Sequence, residues 1–63
     1  MSSHYQKHNI EAIDVIEDWD LNFNLGNVIK YIARCEYKES KVRDLEKAHY
    51  YLIRELERCN TSN

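Results

Sequence analysis

Residues with complementary chemistry recur at helical spacing in the middle of the chain: Asn27, Lys30, Tyr31, Arg34 and Lys38. At about 100° per residue, with Asn27 as origin, Lys30 falls near about −60°, Arg34 near about −20° and Tyr31 near about +40°. Lys38 falls near about +20° if the helix continues that far. All five share one stripe, and no acid joins them. Arg and Lys supply charge-assisted donors for phosphate, Asn an amide that can read a base or sugar, and Tyr a ring for stacking. That set suits a phosphorylated nucleotide; the plain alternative is the polar face of any amphipathic helix. Gly26, the only glycine, would let another backbone or a ligand approach the first turn, where helix N-termini also favour anions.

Other reactive side chains compete less well. His4 and Tyr5 lie on an N-terminal arm that could fold over the stripe and add a phosphate or base contact; otherwise they are tail residues. His8 has less to recommend it. His49 sits on an apolar stripe and reads as a core or interface histidine. Glu11, Asp14, Glu17 and Asp18 form an acidic cluster that could hold Mg²⁺ in an all-helical pyrophosphatase. No clear second E-x-x-D appears on a facing helix, and Glu36-x-x-Glu39 sits at a helix end and breaks the pattern, which leaves an acidic solvent face.

The elements that must position these residues are helical. The chain has no proline, and Ala, Leu, Glu, Lys and Arg are plentiful, which favours helix throughout. Periodicity predicts three helices in one domain spanning 1–63: about 10–19, 22–36 and 40–59. An arm at 1–8 precedes them and a frayed tail at 60–63 follows. Asn9, Asn22 and Ser40 are the expected N-caps. The first helix has Ile10, Ala12, Ile13, Val15, Ile16 and Trp19 on its apolar side, and the second has Leu25, Val28, Ile29 and Ile32. On the third, Val42, Leu45, Ala48, His49, Leu52, Ile53, Leu56 and Cys59 form one stripe. Opposite it stand Arg43, Lys47, Arg54 and Arg58, each with an acid three positions away (Glu46, Asp44, Glu57 and Glu55), a solvated face of helical ion pairs.

Sixty-three residues bury too little surface to be comfortably stable alone. Cys35 and Cys59 match no zinc spacing and read as reduced thiols packed as small hydrophobes. Oligomerisation is therefore the expected way to complete this all-α, three-helix domain. No metal or cofactor is expected. No window is apolar enough for a membrane span, and the polar start is not a signal peptide, so a soluble, cytoplasmic protein is expected. A net charge of −2 argues against general nucleic-acid binding. Five acids face Lys7 alone up to Asp20, and eight bases meet six acids from Leu21 onward, which places any anion site in the second part.

The run Gly26-Asn27-Val28-Ile29-Lys30-Tyr31-Ile32-Ala33-Arg34, with His4-Tyr5 ahead and Lys38, Asp44-Leu45-Glu46-Lys47-Ala48 and Tyr51-Leu52 behind, resembles a small bacteriophage domain family. Its pattern is H-Y, G-N-x-x-K-Y-x-x-R, K, and D-L-x-K-A-x-x-Y-L, and the likeness covers about residues 4 to 56. Members are commonly labelled phage nucleotide kinases, after a longer phage enzyme that phosphorylates deoxynucleoside monophosphates. The resemblance implies nucleotide contact by His4, Asn27, Lys30, Tyr31, Arg34 and Lys38, in the cytoplasm of an infected bacterium; Asp44 and Lys47 match too and are expected to be structural. Phosphoryl transfer needs two substrates and an electrostatic clamp, for which one glycine and no phosphate loop are poor equipment. The favoured expectation is a non-catalytic, homo-oligomeric nucleotide binder that sequesters a phosphorylated or cyclic nucleotide signal of host anti-phage defence, with second-helix stripes lining pockets at subunit interfaces. The alternatives are a nucleoside monophosphate kinase active as an oligomer, and a protein-binding inhibitor of a host factor using Trp19, Phe23 and the tyrosines.

Overall fold

Side-chain caps and one left-handed residue set where the helices begin and end. The computed structural model describes residues 8–61, and these form α1 (Ala12–Asp18), α2 (Phe23–Arg34) and α3 (Lys41–Thr61). The all-helical, three-element expectation holds. Asn22 caps α2, its side-chain oxygen accepting from Leu25 N–H at 2.9 Å. Ser40 caps α3, its hydroxyl accepting from Arg43 N–H at 3.1 Å. Both satisfy backbone donors that the first turn leaves open.

Asn9 does not cap α1. The first helical bonds go to the Glu11 carbonyl, and Glu11, with an extended backbone and no side-chain cap, stands at that position. α1 therefore starts two residues later than expected and is fixed from its other end. Asp20 adopts φ 54°, Leu21 N–H donates to Ile16 O at 3.0 Å, and Asp20 N–H donates to Glu17 O at 3.1 Å. This paired closure is a Schellman motif with aspartate in the left-handed position that glycine favours. α2 also ends early, at Arg34, because the bonds of Cys35 and Tyr37 shift to acceptors three residues back. Lys38 thus lies in the 35–40 connection rather than on the helix. α3 runs two residues past Cys59, with the Thr61 hydroxyl donating to carbonyls of its own last turns.

The helices make one layer. α2 is central, α3 packs along one flank and α1 along the other, and α1 does not touch α3. The extents are 45 × 27 × 14 Å, with a radius of gyration of 13.1 Å; a compact chain of this length has roughly 11 Å. Gly26 lets α1 and α2 meet: a Cβ there would lie 3.3 Å from Ile16 Cγ2. The close approach anticipated at this glycine is made by the chain's own first helix.

The α2–α3 seam is not the apolar one expected. Antiparallel packing joins Asn22 and Asn24 to Glu55 at one end and Arg34 to Asp44 at the other. On α3 the buried or half-buried positions are Asp44, Ala48, Tyr51 and Glu55, spaced 4-3-4 along one side. The apolar stripe lies about 110° further round the helix. Val42, Leu45, Leu52, Ile53 and Leu56 are all exposed, Val42 at 66% and Leu56 at 53%. His49 is exposed with them, so it is not a core histidine. Cys59, expected to pack, is exposed, whereas Cys35 is buried; both thiols are free. Among the described residues the buried apolar side chains are Cys35 and Ala48 alone, a very small core. No described helix is long and apolar enough to cross a membrane.

Candidate functional site

Three cations converge on one tyrosine. Lys30 Nζ lies 4.5 Å from the Tyr31 ring centroid, Arg34 Cζ 5.5 Å and Lys47 Nζ 5.3 Å. Cation–π attraction of about 0.5–1 kcal/mol each holds like charges together that would otherwise spread apart. Tyr51 stacks parallel to the same ring at 6.1 Å. Tyr31 is therefore already enclosed by its own chain, and its role shifts from stacking platform to the hub that gathers the cations.

The exposed ring on this stripe is Phe23, one turn before Asn27. It is 74% exposed and fixed edge-on against Tyr51 at 5.8 Å. The wheel puts Phe23 within about 40° of Asn27, so the spacing in the sequence already places it on the stripe. Asn27 donates to Phe23 O at 2.9 Å, which ties the amide to the helix and leaves its side-chain oxygen as an acceptor.

The hub lies between two clefts. One, of about 330 Å³, is bounded by α1 and the start of α2, with Ile13, Ile16, Phe23 and Gly26 in its walls and Asn27 and Lys30 at its rim. The other, of about 560 Å³, lies where α2 turns into α3 and is lined by Arg34, Lys38, Glu39, Ser40, Arg43, Asp44 and Lys47. Lys38 reaches this site from the connection. Four bases against two acids make it a cationic cleft. From Asn27 to Arg34 is roughly 10 Å along the helix.

The stripe is not free of acid. Asp44, 3% exposed, accepts from Arg34 Nε at 3.3 Å. Asp44 was expected to serve Lys47 on its own helix; it points across the seam instead. Lys47 and Arg43 make no ion pair among the described residues, so the third helix's basic face is only partly compensated. Arg58 does pair with Glu55 as expected, Arg54 lies 5.9 Å from the Tyr50 ring, and Glu36 holds Lys41 at 2.6 Å. Arg58 together with Asn22 and Asn24 holds the Glu55 carboxyl below the usual carboxylate range, and Glu36 raises Lys41.

His4 and Tyr5 lie outside the described residues. His8 packs edge-on against Tyr37 at 5.4 Å, beside Lys38 in sequence. The acidic residues of α1 are exposed, and no three His, Cys, Asp or Glu side chains among the described residues stand close enough to hold a metal ion.

The fold and site define a small helical domain with a cationic, aromatic-bordered surface. The chain belongs to the family described as a protein of unknown function (DUF3310), which matches residues 1–53. No curated protein and no solved structure matches it.

Proposed function

We propose that this protein is a non-catalytic binder of phosphorylated nucleotides, its site being the α2 stripe together with Lys47 and Arg43 of α3. The observation that carries this reading is the gathering of Lys30, Arg34 and Lys47 around Tyr31 between an apolar and a cationic cleft. Lys30 and Lys47 are held over one ring beside Arg34, whose charge Asp44 balances, and a bound polyanion relieves the repulsion between the two lysines. In this reading the base lies against Phe23 and the α1–α2 cleft, with Asn27 accepting from a base or sugar donor. The phosphates lie on Lys30, Lys47 and the cleft containing Arg34 and Lys38. His4 and Tyr5 would close over the ligand from the N-terminal arm.

Sequestration is favoured over turnover by the residues themselves. A phosphoryl-transfer enzyme holds two substrates and clamps the transferred group, usually with metal. The one glycine here is packed against Ile16, and no three His, Cys, Asp or Glu side chains among the described residues are placed to hold a metal ion. With the resemblance to bacteriophage domains, the biological reading is removal of a phosphorylated or cyclic nucleotide signal of host anti-phage defence, in the cytoplasm of the infected cell.

Calorimetry against nucleoside mono-, di- and triphosphates and cyclic oligonucleotides tests this. Heat with at least one of them is expected, weakened about tenfold or more in Lys30→Ala/Lys47→Ala, with the ligand recovered intact. No heat across the panel overturns the binding reading. A diphosphate product from labelled ATP and a deoxynucleoside monophosphate would establish the kinase alternative instead.

A further inference from the structure

We infer that two copies of this chain join back to back through the apolar side of the α2–α3 layer, leaving the cationic side of each facing outward. This inference stands independently of the nucleotide reading. On α2, the residues that meet α3 include Asn24, Tyr31, Arg34 and Cys35, and Leu25, Ile29 and Ile32 lie about 125° further round. On α3, the seam runs through Asp44, Ala48, Tyr51 and Glu55, with the apolar stripe about 110° further round. Because the helices run antiparallel, equal senses of rotation carry both stripes to the same side of the layer. Lys30 and Lys47 lie on the other side, where both reach the Tyr31 ring. The α2–α3 layer thus has an apolar side and a basic side, the basic side also bearing Phe23 and the α1–α2 cleft.

Several features make a second copy the occupant. The apolar side carries no lysine, arginine, aspartate or glutamate between Val42 and Cys59 on the stripe itself, so two identical surfaces meet without charge repulsion, as a two-fold contact requires. Val42, Leu45, Leu52, Ile53 and Leu56 of α3, with Ile32 of α2, are exposed along this side. With only Cys35 and Ala48 as buried apolar side chains among the described residues, a second copy is the partner available to every chain. The ligand stripe consequently points away from the joining surface, unlike the shared-pocket arrangement expected from the sequence.

Sedimentation velocity of the unmodified protein is expected to give twice the 7.6 kDa chain mass. Leu52→Glu should shift the species to one chain or unfold it, and Lys47→Ala should leave the doubled mass. Because the glutamate variant can fail to fold, carbene footprinting of the unmodified protein supplies a second readout. It should label Phe23 freely and protect Leu45, Leu52 and Leu56 several-fold relative to it. A single-chain mass at every concentration, or labelling of those leucines as free as that of Phe23, overturns the inference.

Discussion

The two flanks of α3 invert the usual relation between chemistry and burial. The flank packed on α2 presents Asp44, Ala48, Tyr51 and Glu55, and it closes through hydrogen bonds and one ion pair. The flank left open presents valine, isoleucine and leucines. Burial normally follows apolar area at roughly 25 cal/mol per Å², so a chain that spends its seam on polar groups gains specificity and alignment from it rather than most of its stability. The seam fixes α2 against α3 so that Lys30, Arg34 and Lys47 meet at Tyr31. The open flank holds the larger reserve of burial free energy.

The largest effect should come from breaking the seam unevenly. Arg34→Met leaves the Asp44 carboxylate buried without its guanidinium and should cost about 2–3 kcal/mol, read as a lower denaturation midpoint. Asp44→Asn should cost less, since the half-exposed Arg34 can turn to water. Equal losses would mean that the pair is merely a surface contact. Arg34 therefore mixes folding with any binding role, and Lys30 and Lys47 are the cleaner probes. Lys30→Ala/Lys47→Ala should lower the unfolding free energy by no more than about 1–2 kcal/mol, the two cation–π contacts, while lowering nucleotide affinity about tenfold or more, which is about 1.4 kcal/mol.

Away from the seam, Asp20→Gly relieves a left-handed backbone at the α1–α2 turn and should stabilise by about 0.5–1 kcal/mol, raising the thermal midpoint. Smallest is the pH effect of Glu55. Its folded pKa lies below the unfolded one, so its contribution is present above the unfolded value and is lost as pH falls through the folded value. Unfolding midpoints should decline on acidification below about pH 4.5, and Glu55→Gln should flatten that decline. An unchanged slope in the variant would show that other carboxylates carry it.

The number of helices was legible in the sequence, as were the caps at Asn22 and Ser40, because both are local matters of period and side-chain reach. Which flank of α3 meets α2 was not legible. Periodicity groups residues on a flank but does not say what covers it, and the apolar stripe was the natural choice. The 4-3-4 spacing of Asp44, Ala48, Tyr51 and Glu55 is a packing pattern concealed by its polarity. The stripe of Asn27, Lys30, Tyr31 and Arg34 was visible on the wheel. Its partners Lys47 and Arg43 were not, since each has an acid three positions away on its own helix, Asp44 for Lys47 and Glu46 for Arg43. Phe23 belongs to the stripe by its spacing, but spacing does not say that its ring stays exposed.

The central claim is that the basic side receives the ligand and the apolar side does not. Titrating isotope-labelled protein with nucleoside triphosphate and cyclic dinucleotide, while following backbone amide resonances, tests it most directly. Saturable shifts confined to Phe23, Asn27, Lys30, Tyr31, Lys38 and Lys47 for at least one ligand are the expected result. No shifts with any nucleotide, or shifts centred on Leu45, Leu52 and Leu56, would contradict it.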